Sequence, residues 1–355
     1  GRFSLDGGSV RGRYDIDSDE LIIDQLRLAG DHTRIRGEVR VRDASAILRA
    51  APGQPAAFNI SFPALAFDAP DTFSEPVSFS GVEIVGAIVS GERSVRFDRI
   101  HAQTEAAMID ASGRFHWAEA GAEGRTFPGL ELTGAVVGTL GVQDVLQLWP
   151  MGLGEGAREY LVGSLTGGRV SDVRARLDIR PSDVAGEALR NEAIDVRFNV
   201  ADAEMRFIDT MSPVTHGRGS AVLQGNRFDM VIPEARLNGL VITNGRVEIP
   251  RLKPKGALAT ISARVEGEAR NIVEVLAQEP LHLGDRLPLE VASVSGRGAV
   301  NLRIQRPMLS EVPFENWRFT IDGQIDNFAG NMSTRQVALA QGRLTVRGDQ
   351  RVINV

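Results

Sequence analysis

Cysteine is absent from this 355-residue chain. That excludes disulfides, thiol nucleophiles and Cys-ligated zinc together, and it leaves the redox compartment open, an oxidising bacterial envelope included. Lysine is nearly absent too: Lys253 and Lys255 are the only two, and every other basic side chain is arginine. With 40 basic against 46 acidic residues the formal charge is −6, so the positive balance of a nucleic-acid binder is missing and no nucleic-acid partner is expected. No run approaches the roughly 20 apolar residues of a membrane-spanning helix, and the start shows neither an initiator Met nor a signal-like apolar stretch. The chain reads as an internal fragment. Aromatic residues are only 6% of the total while glycine reaches 38 residues, which implies many turns and an aliphatic interior.

Enzyme motifs are missing as well. Neither lysine follows a glycine, as a Walker A loop needs, and G-x-S-x-G and H-E-x-x-H do not occur. The five histidines, His32, His101, His116, His216 and His282, lie at least 15 residues apart, without local ligand or triad spacing. Asp15, Asp17 and Asp19 open like a calcium loop, but Glu20 stands where glycine is needed and Leu26 where glutamate is needed; they read as a solvated strand edge. Gly152, Gly154 and Gly156 join two helical patterns, so they read as a connector rather than a phosphate cradle. Glu266 and Glu268 share the polar face of a strand. No cofactor, metal site or catalytic residue is expected.

What fills the chain is a period-2 alternation of apolar with polar residues, interrupted by Gly, Asn-Gly or Pro, in roughly 20 to 25 segments. Ile194, Val196, Phe198 and Val200 point one way while Asp195, Arg197 and Asn199 point the other; Phe228, Met230 and Ile232 repeat this after Gly225-Asn226. Leu240 and Ile242 follow, and Asn244-Gly245 reads as a tight hairpin turn before Val247 and Ile249. Val300, Leu302 and Ile304 show the same alternation near the carboxyl end.

Helical spacing covers only about a tenth of the chain, against the third expected of an ordinary domain. Four short helices are predicted: 44–51 capped by Asp43, 142–149, 155–165 and 270–278. The pair within 141–169 reads as a helical linker or plug between a β segment at 1–140 and a second at 170–355. So many one-face-apolar strands exceed what an open sheet carries without curling, splitting or closing. A barrel, stacked sandwiches and a curled half-pipe all satisfy the pattern, and the glycine punctuation favours an elongated, mainly β, curled antiparallel sheet with a few short helices.

Leu148-Trp149-Pro150, then Ala157-Arg158-Glu159-Tyr160-Leu161 and Leu165-Thr166-Gly167-Gly168-Arg169-Val170, resemble a linker in the YhdP-type branch of the AsmA-like superfamily. Tyr160 stands where that pattern usually carries tryptophan. Met205-Arg206-Phe207, Gly217-Arg218-Gly219, Phe228 to Ile232, Asn238-Gly239 and Val247-Glu248-Ile249 are similar to the family's strand ladder, and Glu266-Gly267 through Leu281 to its short helix. The resemblance is densest over 140–310.

It implies an open β-groove in the periplasm of a Gram-negative bacterium, anchored to the inner membrane through a helix outside this fragment. Such a groove is thought to carry phospholipids to the outer membrane. The partners implied are phospholipid acyl chains, the inner membrane through that anchor, and the outer membrane or its proteins. Alternation alone leaves the apolar rows either packed on a second sheet or open. With the resemblance, Val196, Phe198, Phe228, Met230, Ile232, Ile242, Ile249, Val300, Leu302 and Ile304 read as groove lining. A 16-carbon tail exposed to water costs about 12 kcal/mol at about 0.8 kcal/mol per methylene, which a greasy trough removes. A periplasmic scaffold with a filled interior is the alternative; a β-solenoid glycan hydrolase is disfavoured because its paired carboxylates are missing.

Overall fold

The computed structural model describes residues 6–30, 32–49, 53–120, 124–151, 155–186, 190–206, 210–279, 289–309, 312–332 and 338–354. Its strands are joined in one antiparallel sheet that is not closed into a barrel. Two compact units divide the chain: Gly1–Arg158 with Val170–Phe198 and Leu223–Asn226, and Glu159–Arg169 with Asn199–Val222 and Arg227–Val355.

The first unit contains β1 (Gly7–Asp15), β2 (Glu20–Ala29), β3 (Arg34–Arg42), β4 (Ala56–Phe67), β5 (Val77–Phe79), β6 (Gly81–Val89), β7 (Ser94–Gln103), β8 (Ala107–Ala120) and β9 (Arg125–Gly141). Sequence neighbours pair antiparallel throughout, except that the short β5 is bypassed and β4 also pairs β6. Helices α1 (Ser45–Arg49) and α2 (Val142–Leu148) belong to this unit. Three strands, β10 (Leu165–Ile179), β11 (Ile194–Met205) and β12 (Val214–Gln224), contribute residues to both units. Before β10 comes α3 (Glu155–Ser164), and between β10 and β11 comes α4 (Pro181–Ala185).

The second unit contains β13 (Arg227–Leu237), β14 (Leu240–Ile249), β15 (Leu258–Glu268), β16 (Ser295–Pro307), β17 (Arg318–Asn331), β18 (Ala338–Asp349) and β19 (Ile353–Asn354), with α5 (Ala269–Ala277) between β15 and β16. These strands also run as an antiparallel meander.

The period-2 sequence pattern is visible directly in exposure. Along β3, Arg34, Arg36, Glu38, Arg40 and Arg42 are exposed while Ile35, Gly37 and Val39 are half-buried and Val41 is buried. On the polar face, arginine and carboxylate recur two residues apart in one strand, which puts both on the same side. Arg96 bonds Asp98 at 2.8 Å, Arg197 bonds Asp195 at 2.9 Å and Arg246 approaches Glu248 at 3.3 Å; Arg227–Asp229 and Arg264–Glu266 repeat the arrangement. The Arg197 guanidinium holds the Asp195 carboxyl below the usual carboxylate range, against partial desolvation.

Two local expectations are corrected. The tight turn between β13 and β14 is Asn238-Gly239, with φ of 47° and 77°. Asn244-Gly245 lies inside β14, where only Asn244 is left-handed (φ 52°) and marks a register shift against β15. Asn-Gly supplies a cheap positive φ, and a bulge uses that as readily as a turn. The first amide of α1 is capped not by Asp43, itself left-handed at φ 53°, but by Asp19, whose Oδ1 accepts from Ser45 N at 2.9 Å. The Asp15–Asp19 stretch is the β1–β2 turn, with Asp15 Oδ1 accepting from the amides of Asp17 and Ser18. Gly152 and Gly154 of the expected connector lie outside the described residues.

Candidate functional site

In the first unit, one face of the meander is apolar over most of its length, with Glu119 near the end of β8 the charged residue in register with it. Leu21 pairs Val41, Ile23 pairs Val39 and Leu28 pairs Ile35 across β2–β3. Phe58, Ile60 and Phe62 of β4 face Gly86, Ile84 and Val82 of β6. Ile84, Gly86 and Ile88 continue to Ile100, Phe97 and Val95 of β7, then Val95 and Phe97 to Phe115 and Gly113 of β8. Phe115 pairs Leu130, Gly113 pairs Leu132 and Trp117 pairs Pro128 on β9. The register positions named hold aliphatic residues, rings, glycine and Pro128, and no Asp, Glu, Lys or Arg.

Glycines keep this face smooth where rings cross it. A Cβ on Gly37 would lie 2.3 Å from a ring carbon of Phe62, and one on Gly86 would lie 2.8 Å from Phe58 Cζ. The rings therefore lie down on bare backbone of the neighbouring strand. Phe58 and Phe97 meet edge to face at 6.3 Å, and Phe115 and Trp117 at 4.5 Å.

Coverage by protein is incomplete. Val41, Ala56 and Phe58 are buried where Ala46 and Ile47 of α1 pack on them. Beyond that patch Ile60, Ile84, Val95, Phe97, Phe115 and Leu130 remain half-buried, and Trp117 is 41% exposed. Beside Trp117 a recess of about 520 Å³ is lined by Ile88, Val95 and Thr126, with Arg93 as its one charged residue. The opposite face differs in kind: a cavity of about 880 Å³ there is lined by Arg114, Arg176, Arg180, Glu119, Glu131 and Asp178 around His116.

The second unit treats its apolar face differently. Phe228, Met230 and Ile232 of β13 face Ile249, Val247 and Gly245 of β14. Past the Asn244 bulge, Ile242 pairs Val265 just as Val247 pairs Ile261, so Ile242 returns to the same row. Val300, Leu302 and Ile304 of β16 lie between Val265, Ala263 and Ile261 on one side and Gly323, Ile321 and Phe319 on the other. Helix α5 sits on this surface: Ile272 and Val275 pack with Leu240, Val300, Ile321 and Val346, while Ala269 and Val273 pack with Ile325 and Phe328.

The ten residues singled out from sequence thus fall in two groups. Phe228, Ile242, Ile249 and Val300 are buried, at 8%, 8%, 2% and 5% exposure. Met230, Ile232, Leu302 and Ile304, with Val196 and Phe198 of β11, are half-buried. The half-buried row around Ile84, Phe97 and Phe115 was not among them, although the same alternation runs through it.

Comparison with protein families matches residues 22–328 to a family described as YhdP protein. The chain belongs to the YhdP family. The match runs from within β2 to within β17 and includes every residue of the candidate rows from Ile22 onward. No curated protein and no solved structure matches the chain. Among the described residues of this YhdP-family chain, no helix is long and apolar enough to cross a membrane, and no three metal-binding side chains come together.

Proposed function

We propose that this YhdP-family chain carries lipid hydrocarbon on the apolar face of its sheet. In this reading it serves in the periplasm as part of a conduit for phospholipids between the inner and outer membranes, anchored to the inner membrane by a segment outside these residues. The observation that carries the reading is the face of the first unit. Among the described residues, strand after strand presents aliphatic and aromatic side chains on this face, and beyond the α1 patch Ile60, Ile84, Val95, Phe97, Phe115 and Leu130 remain half-buried. Apolar surface left half in water costs about 25 cal/mol per Å², so such a face is an expensive feature unless something apolar covers it. An acyl chain gains about 0.8 kcal/mol for each methylene it buries there. The polar face, with its arginine–carboxylate pairs, stays in water and leaves head groups free to do the same.

One feature favours a scaffold instead: α5 already occupies the surface around Val300 and Ile321. The two readings separate by photocrosslinking. Probes placed at Phe97 and Phe115 should capture the acyl chains of bound phospholipid, and Ile84→Asp should abolish capture and lipid carriage while the chain stays folded. Probes at Phe228 and Leu302 report the second unit in the same way. Silence at Phe97 and Phe115 with lipid present leaves only the scaffold.

A further inference from the structure

Arg93 stands where backbone geometry disfavours it. It lies between β6 and β7, one residue before Ser94, with φ 48° and ψ 48°. Among the described residues nine non-glycine residues have positive φ, and the other eight are Asp, Asn or His, the types that adopt the left-handed region most readily. Arginine gains nothing from that backbone over glycine or asparagine, so the outlier directs attention to its side chain. The guanidinium also lacks a counter-charge. Glu92, its neighbour in sequence, pairs with Arg114 at 3.1 Å, and among the described residues Arg93 makes no ion pair.

The carbonyl of Arg93 accepts from the Trp117 amide at 3.1 Å, which sets the two residues opposite each other where β7 meets β8. Both line the recess beside Trp117. Ile88 and Val95 carry the apolar row into it, and Ser90 and Thr126, which line it too, carry hydroxyls. Ile88 pairs Val95, Val95 pairs Phe115 and Phe115 pairs Leu130, so the recess is continuous with the half-buried row. Glu119, in register with the same face, borders the large polar cavity and not this recess. A guanidinium with hydroxyls nearby suits phosphate oxygens, and the row that runs from it suits a hydrocarbon chain.

We propose that the β6–β7 turn is a phosphate subsite on the lipid-carrying face: Arg93 binds the phosphate of an acyl-chain-bearing phosphodiester whose chain lies along Val95, Phe97 and Phe115. The inference rests on the acyl-chain reading and adds the chemistry of the head group to it. A neutral glyceride offers the same chain but gives Arg93 no partner. One charge-assisted hydrogen bond at an exposed position is worth about tenfold in affinity.

The test uses the full chain with a photocrosslinking residue at position 126, and reads capture against the concentration of dodecanoyl lysophosphatidylglycerol or of monododecanoylglycerol. The phospholipid should reach half-saturation at about tenfold lower concentration than the glyceride. Arg93→Gly should erase that difference and leave glyceride capture unchanged, while Arg93→Lys should keep most of it. Because glycine suits the left-handed backbone, Arg93→Gly should melt no lower than the parent, so the loss cannot be assigned to unfolding. Equal half-saturation for the two lipids, or an unchanged difference in Arg93→Gly, overturns the subsite. Inorganic phosphate that competes at the phospholipid's own concentration also overturns it, as the mark of a free-anion site. In each of these cases glyceride capture at position 126 and phospholipid capture at Phe97 and Phe115 still stand for the acyl-chain reading, so the two ideas fail separately.

Discussion

Ile272 Cδ1 on α5 lies 2.7 Å from the point where a Cβ would stand on Gly298 of β16. The helix can sit down on the sheet there because the strand offers bare backbone. Gly298→Leu should therefore lift α5 and cost about 1–3 kcal/mol of overpacking, read as a lower Tm. If α5 shields part of a lipid-carrying face, the same variant should raise acyl-probe capture at Leu302. A lower Tm without new capture assigns α5 to the permanent core.

Asp183 is buried with its side chain 3% exposed, and Arg190 reaches it with Nε at 2.9 Å from Oδ1 and Nη2 at 3.0 Å from Oδ2. Arg180 N donates to the same carboxylate at 2.8 Å. Burial works to raise the pKa of this carboxyl, but the Arg190 guanidinium and the Arg180 amide outweigh it and the net shift is downward. A depressed carboxylate contributes stability that is complete above its unfolded value near 3.9 and is lost as pH falls through the folded value. Asp183→Asn should cost about 2–4 kcal/mol by leaving Arg190 only the more distant carboxylate of Asp178, at 3.5 Å, and it should flatten the acid limb of the stability curve. An unaltered acid limb would show that the pair is energetically idle.

Tyr14 titrates above the ordinary tyrosine value, chiefly because its hydroxyl donates to Asp19. Its contribution to the β1–β2 turn is present below about pH 10 and disappears as pH rises through the raised value. Only two tyrosines exist in the chain, so ultraviolet titration can follow them. In Asp19→Ala the late phenolate transition should move to lower pH, and α1 should lose amide protection because Ser45 N loses its acceptor. No change in the titration curve would separate Tyr14 from Asp19 in solution.

Gly239, at φ 77°, closes the β13–β14 turn, and a Cβ there would lie 2.6 Å from Asn271 Nδ2 of α5. Gly239→Ala should cost about 1–2 kcal/mol from the left-handed backbone alone. Asn244→Gly, which keeps the positive φ available at the bulge, should be close to neutral in a denaturant melt. If the two variants behaved alike, the turn and the bulge would have been exchanged.

The strands were legible because exposure follows a period of two, and rows such as Ile35–Val41 and Ile194–Val200 declare themselves without any tertiary information. Helix α5 was legible from Ile272, Val275 and Leu276, and was found at Ala269–Ala277. The bulges were not legible, because register shifts such as those at Arg36/Glu38, Val85/Gly86 and Phe97/Ile100 carry no marker in the side-chain pattern, and each changes which residues share a face. Helix α4 was missed although Pro181 at its first turn and Asp183 two residues on are start signals; five residues are too few to show a period. Eight of the ten lining residues the sequence pointed to lie in the second unit, Val196 and Phe198 being in the first. Whether such a row is covered depends on which helix packs on it, as α5 does on Val300 and Ile321 and α1 does on Phe58, and no local pattern states that.

The arginine–carboxylate pairs completed within single strands have an evolutionary corollary. A strand whose charges cancel along its own length brings no electrostatic debt to whichever strand lies next to it. Where charge is balanced in this way, a neighbouring strand can change without stranding a guanidinium, whereas the cross-strand pairs Arg99–Glu83 and Arg218–Glu234 tie two strands to one another.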